Sequence, residues 1–265
     1  RLVWGGGGET SETRCGGVYS NGGTVRNSLI ACNTQVYDDP ASGIAVHLIG
    51  GVMENCTVAG NFHLTSSRTP AVYAQNIDNS WKNDPVIRNC VIWGNTGVVG
   101  DANWGLLAGR CVVSATCALP RMPGEGNIDA DPCFANPRAG DFRLMLSSAV
   151  DAAVPMDWMD WTGDLDGNDR QQGAAPDMGC YEFAPSALSC GFDVSAGGAF
   201  DQDDITLTAR VAGDDLAGLS YTWTLTDEWD NTIVTNTTDA SLTLPLPSGL
   251  YTVVLSVTNG KGESG

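Results

Sequence analysis

Three groups of residues have the types and spacing for chemistry. Asp164, Asp166 and Asn168 stand at alternate positions of Asp164-Leu165-Asp166-Gly167-Asn168-Asp169, as the oxygen ligands of a calcium loop do. The twelfth position from Asp164 is Ala175, so the closing glutamate of an EF-hand is missing, and an Asx-rich turn is the structural alternative. In Asp157-Trp158-Met159-Asp160-Trp161 aromatic faces alternate with carboxylates. Such residues stack on sugar rings and bond their hydroxyls, and Trp93 and Trp104 add outward or loop aromatics. The structural alternative is that these residues cover the open end of a stacked coil. Paired carboxylates for glycoside hydrolysis have ample raw material among 31 acidic residues, but sequence alone does not pair them. No Walker loop, Rossmann fingerprint or nucleophile elbow is present. No CxxC occurs, and His47 and His63 are not at ligand spacing from any cysteine, so a zinc site is not expected.

The elements that must position these groups follow from a repeat. Val25-Arg26-Asn27-Ser28-Leu29-Ile30-Ala31-Cys32-Asn33, Met53-Glu54-Asn55-Cys56-Thr57-Val58-Ala59-Gly60-Asn61 and Ile87-Arg88-Asn89-Cys90-Val91-Ile92-Trp93-Gly94-Asn95 share one pattern. A degenerate fourth copy is read at Ala108-Gly109-Arg110-Cys111-Val112-Val113. The Ser/Cys position then falls at 28, 56, 90 and 111, giving steps of 28, 34 and 21 residues. A short strand cannot bury its own apolar face and must stack on copies of itself. Irregular steps suit a β-solenoid, whose loops vary while its strands stay in register. Positions 28, 30 and 32 and their equivalents are expected inward, Ile30 beside Val58 and Ile92. Asn27, Asn55 and Asn89 are expected at a corner, where Asn tolerates left-handed backbone and bonds its neighbour in the stack. Gly22-Gly23 and Gly50-Gly51 mark a second corner. Arg26 and Arg88 with Glu54 between them form a charge ladder.

Nine cysteines leave at least one without an intramolecular partner. Cys56, Cys90 and Cys111 are expected as buried free thiols on the inward ladder, because strands roughly 4.8 Å apart exceed the Cβ separation of roughly 3.8 Å usual in a disulfide. Cys15, Cys32, Cys117, Cys133, Cys180 and Cys190 lie on or near loops, and Cys117 with Cys133 and Cys180 with Cys190 are the local pairing guesses. A net charge of −18 argues against nucleic-acid partners, whose phosphates need Lys and Arg, and against anionic membranes. No run reaches the roughly 18 apolar residues of a membrane span.

The repeat, led in by Val18-Tyr19-Ser20-Asn21-Gly22-Gly23-Thr24-Val25, resembles the right-handed parallel β-helices of large secreted bacterial proteins. The ordered stretch Gly126-Asn127-Ile128-Asp129-Ala130-Asp131-Pro132, Gly140-Asp141-Phe142-Arg143-Leu144, Ser148-Ala149-Val150-Asp151, Asp164-Leu165-Asp166-Gly167-Asn168 and Asp177-Met178-Gly179-Cys180-Tyr181-Glu182 is similar to the choice-of-anchor Q region that closes such helices. Tyr221-Thr222-Trp223-Thr224-Leu225 and Tyr251-Thr252-Val253-Val254-Leu255-Ser256-Val257-Thr258 look like central strands of a PKD-type immunoglobulin-like sandwich, with Trp223 in its core beside Leu244 and Leu246.

The expected fold is therefore all-β: a short right-handed parallel β-helix over 1–118, an anchor-Q-like closing region over 119–187, and a PKD-like sandwich over 188–265. The sequence reads as starting inside a rung and stopping before a last sandwich strand, which suggests completion by a neighbouring copy and hence a filament. β-Helix lyases and hydrolases group Asp, Arg and Lys on one outward sheet. Here the outward positions are Leu29, Thr57, Val91 and Val112, then Ala31, Ala59 and Trp93, an apolar face. The leading expectation is a non-catalytic extracellular or cell-surface structural or adhesive segment. It requires no cofactor apart from the calcium candidate, and its partner is itself or a polysaccharide. A carbohydrate-binding module using Trp158, Trp161 and Trp104 is the alternative, and a polysaccharide lyase or hydrolase the third.

Overall fold

The computed structural model describes residues 16–36, 43–64, 69–76, 84–97, 103–105, 111–184, 188–196, 204–213, 216–247 and 249–265. It is all-β, with parallel and antiparallel sheets, and contains no α-helix among the described residues. Cys15 and residues 108–110 of the fourth copy lie outside them. The protein forms two compact units, Arg1–Leu144 with Ser148–Phe183, and Met145–Ser147 with Ala184–Gly265. The two segments expected over 1–118 and 119–187 thus fall almost wholly into one unit.

In the first unit the first three rungs lay one strand into each of three parallel sheets, and the fourth adds a strand to two of them. The first sheet stacks β1 (Val18–Asn21), β5 (Val46–Ile49) and β9 (Val72–Gln75). The second stacks β2 (Thr24–Arg26), β6 (Val52–Glu54), β10 (Val86–Arg88) and β12 (Val112–Ser114). The third stacks β3 (Leu29–Ala31), β7 (Thr57–Ala59), β11 (Val91–Trp93) and β13 (Cys117–Ala118). A shorter pair, β4 (Thr34–Gln35) and β8 (Phe62–His63), continues two rungs. Like stacks on like. Ile30, Val58, Ile92 and Ala118 form one buried row, and Met53, Ile87 and Val113 another. Met122 packs against the same core.

The corners are set by residues that accept positive φ. Asn27, Asn55 and Asn89 have φ of 50°, 47° and 56°. At the second corner Gly51 lies so close to its stacked neighbour that a Cβ would collide with the Gly23 carbonyl oxygen, and only glycine fits. The third corner corrects the sequence reading. Cys32, Gly60 and Gly94, expected inward, have φ of 58°, 63° and 63°, and Cys32 is exposed. The strands end one residue earlier, so the alternation does not reach them.

The fourth copy is also corrected. Val86 pairs with Val112 and Val91 with Cys117, so Thr116, not Cys111, takes the Ser/Cys position and Ala115 (φ 44°) takes the corner. The last step is therefore 26 residues. The chemistry explains the choice. At this position the side chain donates to the carbonyl two residues back: Ser28 to Arg26, Cys56 to Glu54, Cys90 to Arg88 and Thr116 to Ser114. Serine, cysteine and threonine are interchangeable short donors there.

The second unit is a pair of three-stranded antiparallel sheets. One holds β16 (Leu188–Ala196), β17 (Asp204–Gly213) and β20 (Ser241–Pro245); the other holds β18 (Ser220–Asp227), β19 (Thr232–Thr237) and β21 (Tyr251–Thr258). Inward residues of both form one core around the fully buried Trp223, with Phe192 edge-on to it at 5.4 Å. Leu246 is buried there and Leu244 packs against it. After the turn at Asn259–Gly262, Gly265 exchanges both backbone hydrogen bonds with Val257.

Candidate functional site

The most chemically loaded part of the first unit is the outward face of the third sheet, with the segment that covers it. Leu29, Ala31 and Ala59 pack under Phe142 and Cys180, while Val91 and Cys117 pack under Leu144, Ala149, Ala153 and Met178. The hairpin of β14 (Phe134–Asn136) and β15 (Asp141–Leu144) and the strap 148–183 supply this cover. The region expected to close the end of the coil therefore lies chiefly along its flank. An apolar outward face must be buried, and the segment that follows the rungs in sequence buries it.

The corner asparagines hold the strap. Asn27 donates to the carbonyl of Gly163 (2.8 Å), and Asn89 donates to that of Val154 (2.8 Å) and accepts its N–H (2.9 Å). Asn89 also donates to Asn55 Oδ1 at 3.2 Å. The buried Oδ1 of Asn27 and Nδ2 of Asn55, the atoms a second such bond would join, have no hydrogen-bond partner among the described residues. The unbroken ladder is a different row, the second Asn of each repeat. Asn61 Oδ1 accepts from the backbone and side chain of Asn33, Asn95 Oδ1 does the same for Asn61, and Asn103 Oδ1 for Asn95, all at 2.8–3.0 Å. All four are buried. The repeat displays these positions, but the sequence reading assigned them no role.

The charge ladder forms as its alternation requires. Glu54, 1% exposed, receives Arg26 at 2.5 Å and Arg88 at 2.6 Å. Trp158 lies over the Arg26 guanidinium at 4.5 Å and is buried. Trp158 is therefore a lid on the ladder rather than an open sugar platform. Trp161, in the same 3-10 segment Asp157–Trp161, is 70% exposed. Trp104 packs against the coil core and donates to the Pro120 carbonyl at 2.6 Å.

The Asp164 loop is a hydrogen-bonded turn. Its carboxylate accepts from the backbone of Asp166, Asn168 and Glu182 and from the Asn168 amide. The Asp166 carboxylate is taken by Arg143 at 2.6 and 3.2 Å. The Asp164 and Asp166 carboxylates that the calcium reading would use thus already serve N–H donors. Among the described residues no group of three or more His, Cys, Asp or Glu is placed to hold a metal.

Beneath this turn is an ion cluster that the sequence did not reveal. Arg170, 1% exposed, contacts Glu182 at 2.9 Å and the carbonyls of Asp177 and Gly179 at 3.1 Å. Burial pushes Glu182 up to about 8, against the pull of Arg170. Burial likewise pushes Asp177 up to about 6, although N–H groups of Asp151 and Phe183 oppose it. One guanidinium does not offset the desolvation of two carboxylates.

Four of the described thiols, Cys56, Cys90, Cys117 and Cys180, are buried. Cys56 and Cys90 are fully buried in the coil core, and burial raises Cys56 well above the ordinary thiol value. Neither guessed disulfide forms: Cys117 is buried under the strap, where burial raises it to about 12, and its thiol donates to the Ala130 carbonyl. Cys180 is likewise buried on the third sheet, whereas Cys190 belongs to the other unit. Cys111 is half-buried and off the inward ladder, for the register reason given above.

Where the hairpin meets the third corner it leaves a cleft of about 440 Å³, bordered by Trp93, Gly94, Asp131, Phe134, Arg138 and Phe142 among others. The sequence signal was Trp93, the bulky member of a row otherwise filled by Ala31 and Ala59. No helix of the described residues is long and apolar enough to cross a membrane. In comparisons with protein-family models, curated proteins and solved structures, none matches this protein.

Proposed function

We propose that this protein is a non-catalytic structural segment of an extracellular or cell-surface protein. In this reading the coil is a right-handed β-helical spacer, the strap is its anchor-Q-like closing region, and the sandwich is a PKD-like module that extends reach. The observation that carries it is how the outward face of the third sheet is used. β-Helical lyases and hydrolases group acid, base and cationic side chains on such a face. Here it presents Leu29, Ala31, Ala59 and Val91, and it is buried under a strap clipped to the corner asparagines. The interior rows likewise spend their polar groups on stacking. Such a body resists bending because each rung is bonded to the next through both backbone and side-chain groups.

The test is turnover on a panel of plant, algal and bacterial polysaccharides, read as new reducing ends and as ultraviolet-absorbing unsaturated ends. The expected result is no release from any substrate by protein that stays intact in protease. Release that scales with enzyme concentration would overturn the proposal.

A further inference from the structure

We infer that the cleft beside the third corner is a binding site for an uncharged glycan. The inference deepens the structural reading by giving the spacer an adhesive contact, and it rests on that reading only in that the sugar is held rather than cleaved. At about 440 Å³ the space lies in the range of small-ligand sites, roughly 300–1,000 Å³.

Its wall is aromatic. Trp93 is half-buried, and Phe134 and Phe142 meet edge to face at 5.2 Å. Sugar rings present a C–H face that packs on such surfaces, with hydroxyls around the edge. Two polar groups stand at that edge with capacity to spare. Arg138 is exposed and has no hydrogen-bond or ion-pair partner among the described residues. Asp131 uses one carboxylate oxygen to accept the Cys133 N–H at 2.8 Å, and its other oxygen has no such partner among the described residues. A guanidinium and a carboxylate lining one cleft suit the hydroxyls of a sugar, which both donate and accept.

The corner backbone keeps the space open. A Cβ at Gly94 would meet no atom within 4 Å, so nothing in the packing requires glycine there beyond its φ of 63°. Charge selects the class of sugar. One cationic and one anionic side chain, Arg138 and Asp131, leave the rim without net charge, and that balance suits an uncharged glycan rather than a polyuronate or a sulfated chain.

The experiment titrates the 265-residue protein with cellohexaose, laminarihexaose, xylohexaose and mannohexaose, and with hexagalacturonate, by calorimetry and by tryptophan fluorescence. Saturable binding of at least one neutral hexasaccharide is expected, with weaker or no binding of hexagalacturonate. Arg138→Ala should weaken it about tenfold, as loss of a charge-assisted hydrogen bond does. Gly94→Asn keeps a residue that tolerates positive φ and narrows the cleft, so it should weaken binding about tenfold while the melting temperature stays near that of the parent. Trp161→Ala, outside the cleft, should change nothing. No saturable binding of any neutral hexasaccharide, preference for hexagalacturonate, or binding untouched by Gly94→Asn would each overturn the inference. None of these outcomes is turnover, so the cleft fails separately from the structural reading.

Discussion

The coil carries two rows of asparagine, six residues apart in each of the first three rungs, and they do opposite work. Asn33, Asn61, Asn95 and Asn103 point inward and bond one another from rung to rung. Asn27, Asn55 and Asn89 stand at a left-handed corner, and two of them reach outward to the strap. The same side chain at the same repeat frequency is a ladder on one side of the backbone and a clip on the other. Repetition in a sequence encodes stacking. Whether a side chain serves the stack or its covering is decided by which side of the strand end it leaves.

The largest break in this comparison is Asn61→Ala. Asn61 bonds Asn33, Asn95 and the carbonyls of Ile30 and Ala59 in the buried interior. Its loss strands several buried groups, at about 1–3 kcal/mol each, so a total of about 4 kcal/mol is expected by urea denaturation. Next is Glu54→Ala, which leaves Arg26 and Arg88 facing each other. Both arginines are about one-third exposed and partly rehydrate, so the cost falls below that of a fully buried pair, at about 2 kcal/mol. Asn89→Gly sharpens the comparison because it keeps the corner conformation while removing the Val154 clip. About 1.5 kcal/mol is expected, against a few tenths for Arg143→Ala at the surface.

A separate lever is the pH dependence of the strap. Glu182 and Asp177 are raised to about 8 and about 6 by burial. Their contribution is therefore fully present below the ordinary carboxylate range and is lost as pH rises through these values. The melting temperature should fall between about pH 5 and about pH 8.5, and Glu182→Gln should flatten that slope. A slope unchanged in the variant would show that other groups control it.

Much of the coil was legible because its stacking is written as identity. The Asn and Ser/Cys positions fixed the first three rungs, and the alternating Arg-Glu-Arg signs fixed the outward charge ladder. The fourth rung was misread because cysteine was treated as the marker. The position demands a short hydrogen-bond donor, and Thr116 meets that demand as well as Cys56 does. The strap was harder still. Its contacts to the coil, such as Asn27 to Gly163 and Cys180 to Thr57, join residues more than a hundred positions apart and leave no period to read. The sites suffered for the same reason. Trp158 has the composition of a sugar platform, but its face is taken by Arg26, while the cleft at Trp93 depends on a hairpin that the repeat does not contain.

The most direct test of the two-row account is residue-resolved hydrogen exchange on the parent and on Asn89→Gly. If the corner row clips the strap while the interior row holds the stack, amides across 148–183 lose protection in the variant. The backbone N–H groups of Asn33, Asn61 and Asn95, each bonded to a neighbouring asparagine, remain among the slowest. Equal loss of protection in strap and rungs would mean that the two rows act as one, and would contradict the account.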